Sequence, residues 1–165
     1  MKVLVLNPPT DGTKFTREGR CQSEAGTWLE TFPPVTLASI AGAVRQKYDT
    51  KLIDCIGEDV SFERFMVDVQ DFAPDFTIMD TATPTFYGDV SVAKAIKDAT
   101  GSGIIMYGEH VSARHKHIFN DGGKGILDYA IVGEPETPIL NVLEGNDIAK
   151  GVATTSHSSE PWREP

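Results

Sequence analysis

Apolar residues in this chain occur either as short unbroken runs or at three- and four-residue spacing, and the two patterns alternate. Lys2–Asn7 (KVLVLN) is an unbroken run stopped by Pro8-Pro9, which predicts a strand buried on both faces. From Thr36, TLASIAGAVRQKY sets Leu37, Ile40, Ala41 and Val44 on one helical face. KLID (Lys51–Asp54) predicts a second strand. SFERFMVDVQDF predicts a helix capped by Ser61, with Phe62, Phe65, Met66 and Val69 on one face, ended by Pro74. DFTIMD (Asp75–Asp80) is a third strand, followed by the loop TATPTFYG and a helix over about Asp89–Thr100. GIIMY (Gly103–Tyr107) is a fourth strand, Val111–Phe119 a short helix, YAIV (Tyr129–Val132) a fifth strand and Glu136–Leu143 a last helix. Gly151–Thr154 fits an edge strand, and the tail TTSHSSEPWREP reads as extended and weakly ordered.

Successive strand–helix units predict an α/β fold with a parallel sheet covered on both faces and right-handed crossovers. The expected architecture is a Rossmann/flavodoxin-like, doubly wound, five-stranded parallel sheet of order 2-1-3-4-5, with a possible extra edge strand. Ligands of such folds bind beyond the carboxyl ends of the strands, at the switch point between the first and third. That rule selects NPPTDG, TATPTF, YGEHVS and VGEPE. It also draws in residues 8 to 35, a connection too long for an ordinary loop, which holds the dense polar stretch REGRCQ (Arg17, Glu18, Arg20, Cys21).

Composition narrows the chemistry. At 165 residues one domain is expected, and a net charge of −9 disfavours a nucleic-acid partner. No apolar run approaches the roughly 20 residues of a membrane span. Two cysteines, Cys21 and Cys55, give no disulfide framework, so a cytoplasmic setting is expected. No G-x-G-x-x-G follows the first strand and no P-loop is present. Asp80 stands alone where a phosphoacceptor domain needs a cluster of acids. Thr81, Thr83 and Thr85 offer hydroxyls at the switch point, and Gly108 and Gly133 leave backbone open to approach. The same residues also serve as ordinary caps and turns. His110, His115 and His117 lack the spacing of a closed metal site. No metal ligand and no catalytic residue is assigned.

In order along the chain, N-P-P, R-E-G-R-C-Q, P-P-V-T-L-A-S-I-A-G, P-D-F-T-I-M-D-T-A-T, Y-G-E-H-V-S and D-Y-A-I-V-G-E-P-E-T resemble the N-terminal cobalamin (vitamin B12)-binding domain of cobalamin-dependent radical S-adenosylmethionine enzymes. The nearest group in that family holds the magnesium-protoporphyrin monomethyl ester cyclases and related methyltransferases. The resemblance covers about residues 1 to 150 and leaves 151 to 165 as a stub toward a second domain. It implies cobalamin as the partner, with the nucleotide tail entering beside the switch point. Thr81 and Thr83 would hydrogen-bond near that tail. Gly108 would let it pass close to backbone, while Gly133 and Glu134 would line the other wall. Glu109 and His110 stand at the mouth, and Pro8, Pro9 and Leu37 would face the corrin.

Two departures matter. Residues 8 to 35 contain no histidine, so no imidazole from that loop would stand beneath the cobalt of the implied cobalamin, which is expected base-off. Two cysteines do not make the C-x-x-x-C-x-x-C of a radical enzyme. The iron–sulfur cluster and S-adenosylmethionine therefore belong to a missing domain or a partner subunit. The competing expectation is a degenerate α/β domain used for protein interaction or small-molecule sensing without cobalamin.

Overall fold

A computed structural model of the chain describes residues 1–10, 14–17, 23–24 and 33–163. Strand β1 (Lys2–Asn7) leads into a two-residue hairpin, β2 (Phe15–Thr16) and β3 (Ser23–Glu24). After it come α1 (Val35–Val44), β4 (Asp49–Asp54), α2 (Phe62–Phe72), β5 (Phe76–Asp80), α3 (Phe86–Thr100) and β6 (Gly103–Tyr107). The chain continues through α4 (Glu109–Arg114), β7 (Tyr129–Ile131), α5 (Glu136–Leu143) and β8 (Val152–Ala153).

The large sheet has the order β4-β1-β5-β6-β7-β8. Its first five members are parallel, so their chain order is the 2-1-3-4-5 expected for the doubly wound class. The layout differs from expectation in the separate β2–β3 hairpin, and the sixth strand, β8, runs antiparallel to β7.

Alternation along β1 explains the two cores. Val3, Leu4, Val5 and Leu6 are all fully buried, and successive side chains point to opposite faces. Leu4 and Leu6 join Phe65 and Val69 of α2 and Phe86 and Ile96 of α3. Val3 and Val5 join Leu37, Ile40 and Val44 of α1 and Ile139 and Val142 of α5. Each such aliphatic side chain contributes about 1.5–3 kcal/mol by leaving water. One face of the sheet thus carries α2 and α3 and the other α1 and α5.

Local signals set the helix ends. Ser61 Oγ accepts from Arg64 N at 3.3 Å, the cap expected of it. Helix α2 stops at Ala73, whose φ of 48° breaks the helix before Pro74 can clash with it. Helix α3 starts three residues before the expected Asp89 because Phe86 is buried in the core and outweighs the poor helix propensity of Gly88. The segment expected as a helix over Val111–Phe119 instead forms α4, ending at Arg114, and a wide turn at Phe119–Gly123 opened by Gly122 at φ 141°.

The tail is better anchored than its composition suggests. Gly151 N donates to Glu160 O and to Ser159 Oγ, and Ser159 is buried. Trp162 pairs with Gly133 as a parallel bridge: its N–H donates to Val132 O at 2.8 Å, and its carbonyl accepts from Glu134 N at 3.1 Å. Backbone pairing beside β7 supplies the order that this polar stretch lacks by itself.

Candidate functional site

The carboxyl ends of β1, β5, β6 and β7 form one rim, and the polar residues of four loops meet there. At its centre is a buried ion pair that gives the first charge of REGRCQ, Arg17, its partner. Arg17 Nη2 lies 2.6 Å from Asp89 Oδ1, and both side chains are 1% exposed. Arg17 Nε donates to Asp89 Oδ2 at 3.3 Å, completing a two-pronged contact. Arg17 Nη1 donates to Asn7 Oδ1 at 2.8 Å and to Pro8 O at 2.9 Å. The hydroxyls of Thr81 and Thr85 donate to Asp89 Oδ2 at 2.7 and 2.6 Å. Asn7 Nδ2 donates in turn to Asp54 Oδ1 at 2.7 Å, which also accepts from Gly57 N. Burial pushes the Asp89 carboxyl up from its ordinary value, against the pull of Arg17 and the two threonines. The other members of the stretch, Glu18, Arg20 and Cys21, lie outside the described residues.

The ion pair stands between two openings. Arg17 borders a cleft of about 440 Å³ between the starts of α1, α4 and α5, where Gly108, Glu109, Ala113 and Gly133 form the walls. Asp89 borders a groove of about 840 Å³ between the starts of α2 and α3, lined by Pro9, Phe15, Phe62 and Pro84. On the β1–β4 side, the space among Asn7, Phe15, Arg17, Leu37 and Asp54 shrinks to about 10 Å³, room for a single water.

The residues singled out from sequence do not all share one place. Gly108, Glu109 and Gly133 share the 440 Å³ cleft. Thr83 and His110 meet each other, Oγ1 to Nδ1 at 3.1 Å, with the imidazole on the Phe86 ring at 4.5 Å between centroids. Nε2 of His110 is buried and has no hydrogen-bond partner among the described residues. Burial, then the nearby Arg114, lowers the His110 pKa from 6.5, with Asp121 opposing, so the imidazole is neutral near pH 7. Thr81 and Leu37 are fully buried, the first under Asp89 and the second in the α1 core. Pro9 lines the larger groove, the Pro8 carbonyl is taken by Arg17, and Glu134 is fixed through its backbone by Trp162.

Both rim glycines are required by the protein's own packing. A Cβ on Gly108, whose φ is 124°, would lie 2.2 Å from Thr81 O. One on Gly133, at φ 92°, would lie 2.1 Å from Trp162 O. Among the described residues no three His, Cys, Asp or Glu side chains are placed to hold a metal ion, and no helix is long and apolar enough to cross a membrane. Asp89 and Asn7 were missed as site residues, while Thr85, noted for its hydroxyl at the switch point, is spent on Asp89. The signal for Asp89 was its register: it follows Phe86 by three and precedes Ala93 by four, an acid on a buried stripe.

No protein-family model matches the chain. Over 113 residues, 68% of this chain and 22% of the other, it is 33% identical to an uncharacterized methyltransferase of Pyrococcus horikoshii. In three dimensions, 80% of the chain matches 20% of the cobalamin-dependent S-adenosylmethionine radical enzyme OxsB, solved with aqua-cobalamin and S-adenosylmethionine bound, at a TM-score of 0.65 and 13% identity. The chain thus spans about a fifth of the length of each of these two proteins. What it shares with OxsB is a fold, the Rossmann-like α/β unit described above. Its sequence relative is a protein named as a methyltransferase.

Proposed function

We propose that the chain is a cobalamin-binding module that serves a radical S-adenosylmethionine methyltransferase or cyclase. The observation that carries this reading is the open cleft at the carboxyl rim, in a fold shared with a cobalamin enzyme. Its volume of about 440 Å³ falls within the roughly 300–1,000 Å³ of small-molecule sites. That suits the nucleotide tail, and leaves the broad corrin outside over the rim.

In this reading Gly108 and Gly133 shape the cleft by keeping backbone free of side chains, and Glu109 and Glu134 edge it. Thr83 and the neutral His110 present a paired hydroxyl and imidazole near its mouth. Pro8 and Pro9 face the corrin, while Thr81 and Leu37 act from beneath, by holding Asp89 and α1 in place. Bound cobalamin supplies a redox-active cobalt. With no histidine in residues 8 to 35, that loop offers the cobalt no imidazole, and a cofactor whose nucleotide tail enters the cleft would be base-off. The cluster and S-adenosylmethionine come from another domain or subunit, since two cysteines do not supply three thiolates.

The test is direct. Purified protein is mixed with hydroxocobalamin, desalted and scanned in the visible. Retention near one to one supports the reading. A colourless protein overturns it in favour of an interaction or sensing module.

A further inference from the structure

We propose that Arg17 is a positioning residue that fixes the first wall of the cofactor cleft before any ligand arrives. The guanidinium bonds three residues at once, Asn7 at the end of β1, Pro8 in the loop and Asp89 in the first turn of α3, and Asp89 in turn holds Thr81 just past β5. Asp89 is 72 residues away in sequence, so the contact closes a long loop of chain. Both charged side chains are 1% exposed, so neither is offered to solvent.

A buried ion pair is a poor source of net stability, because desolvation cancels much of its attraction and apolar residues of similar volume do as well or better. What it supplies is direction. Two N–H···O contacts to one carboxylate fix angle as well as distance, and the Thr81 and Thr85 hydroxyls hold that carboxylate on its other side. A lysine at position 17 would keep the charge and lose the fork. Because Arg17 borders the 440 Å³ cleft and Asp89 borders the 840 Å³ groove, the pair is also the partition between them. A wall held this way removes the ordering cost that a mobile loop adds to binding.

Only the binding arm of the test rests on the cobalamin reading. Four proteins are compared: wild type, Arg17→Met, Arg17→Lys and the double variant Arg17→Met with Asp89→Asn. The double variant removes both charges, while the Asn oxygen still accepts from the two threonines. Thermal midpoint, amide hydrogen exchange at Thr10 and residues 14–17 without cofactor, and hydroxocobalamin retention are measured. Arg17→Met lowers the midpoint and the double variant recovers it. Exchange stays faster than wild type in all three variants. Affinity for hydroxocobalamin drops about tenfold in the double variant if the ordered loop falls to about a tenth of the population. Wild-type protection and retention in the double variant, or full rescue by Lys, would make the pair mere packing and overturn the proposal. A colourless wild type sinks the cobalamin reading instead, and the exchange data still judge Arg17.

Discussion

The two halves of the rim are built on opposite plans. On the β1–β4 side, Phe15, Arg17 and Leu37 fill the strand ends until about 10 Å³ remains, and the larger groove lies beyond Phe15, between the starts of α2 and α3. On the β6–β7 side, two glycines keep side chains out and a cleft of about 440 Å³ stays open. The sealed half gains its order from long-range pairing of groups far apart in sequence. The open half gains its shape from backbone conformations that only glycine adopts easily. One half is specified by what the residues carry and the other by what they lack.

Substitutions separate the halves. The largest effect is expected from Arg17→Met alone, which strands Asp89 as a buried charge. The cost should be about 3–5 kcal/mol in chemical denaturation, and a loss within experimental error would mean that the sealed half is not electrostatically tied. Next, Gly108→Ala forces a side chain toward Thr81 O at a φ of 124° and should cost about 1–3 kcal/mol. For that reason Gly108 variants test the fold more than the ligand. Ala113→Trp is cleaner, since Ala113 is exposed on the cleft wall. It should abolish hydroxocobalamin retention while moving stability by no more than about 0.5 kcal/mol. Retention by this variant would move the site elsewhere.

Smaller effects come from titration. Burial, then Arg114, keeps the folded His110 pKa below 6.5, so the unfolded chain takes up its proton first as pH falls. The His110 contribution is complete above 6.5 and is lost as pH drops toward the lower folded value. An NMR titration should place the imidazole midpoint below 6.5, and His110→Asn should lose less stability between about pH 7.5 and 5.5 than wild type. A midpoint at or above 6.5 would remove the buried environment from the account. Smallest of all, burial and then Asp54 push the Cys55 thiol up to about 12. In a Cys21→Ser protein, alkylation at about pH 8 should be negligible against a free thiol near 8.5.

What could be read from sequence follows the same division. β1, β6 and α5 sit where the pattern put them, because an unbroken apolar run, a glycine stop and a periodic face are each local signals. The glycine-walled loops were likewise found by the strand-end rule. The sealed half was legible only as a question. REGRCQ announced charge without a partner, since the partner Asp89 lies 72 residues away in a helix whose first turn was read as loop. The hairpin β2–β3 had no signal at all, being two residues a side. The tail read as weakly ordered from its serines and prolines, yet the backbone bridge at Trp162 and the bonds from Gly151 to Ser159 and Glu160 seat it.

That bridge has an optical consequence. It sets one of the chain's two tryptophans against Gly133, on the wall of the open cleft. A corrinoid arriving there would absorb the light that Trp162 emits. In a Trp28→Phe protein, fluorescence dimming would then follow loading in real time, with no label attached.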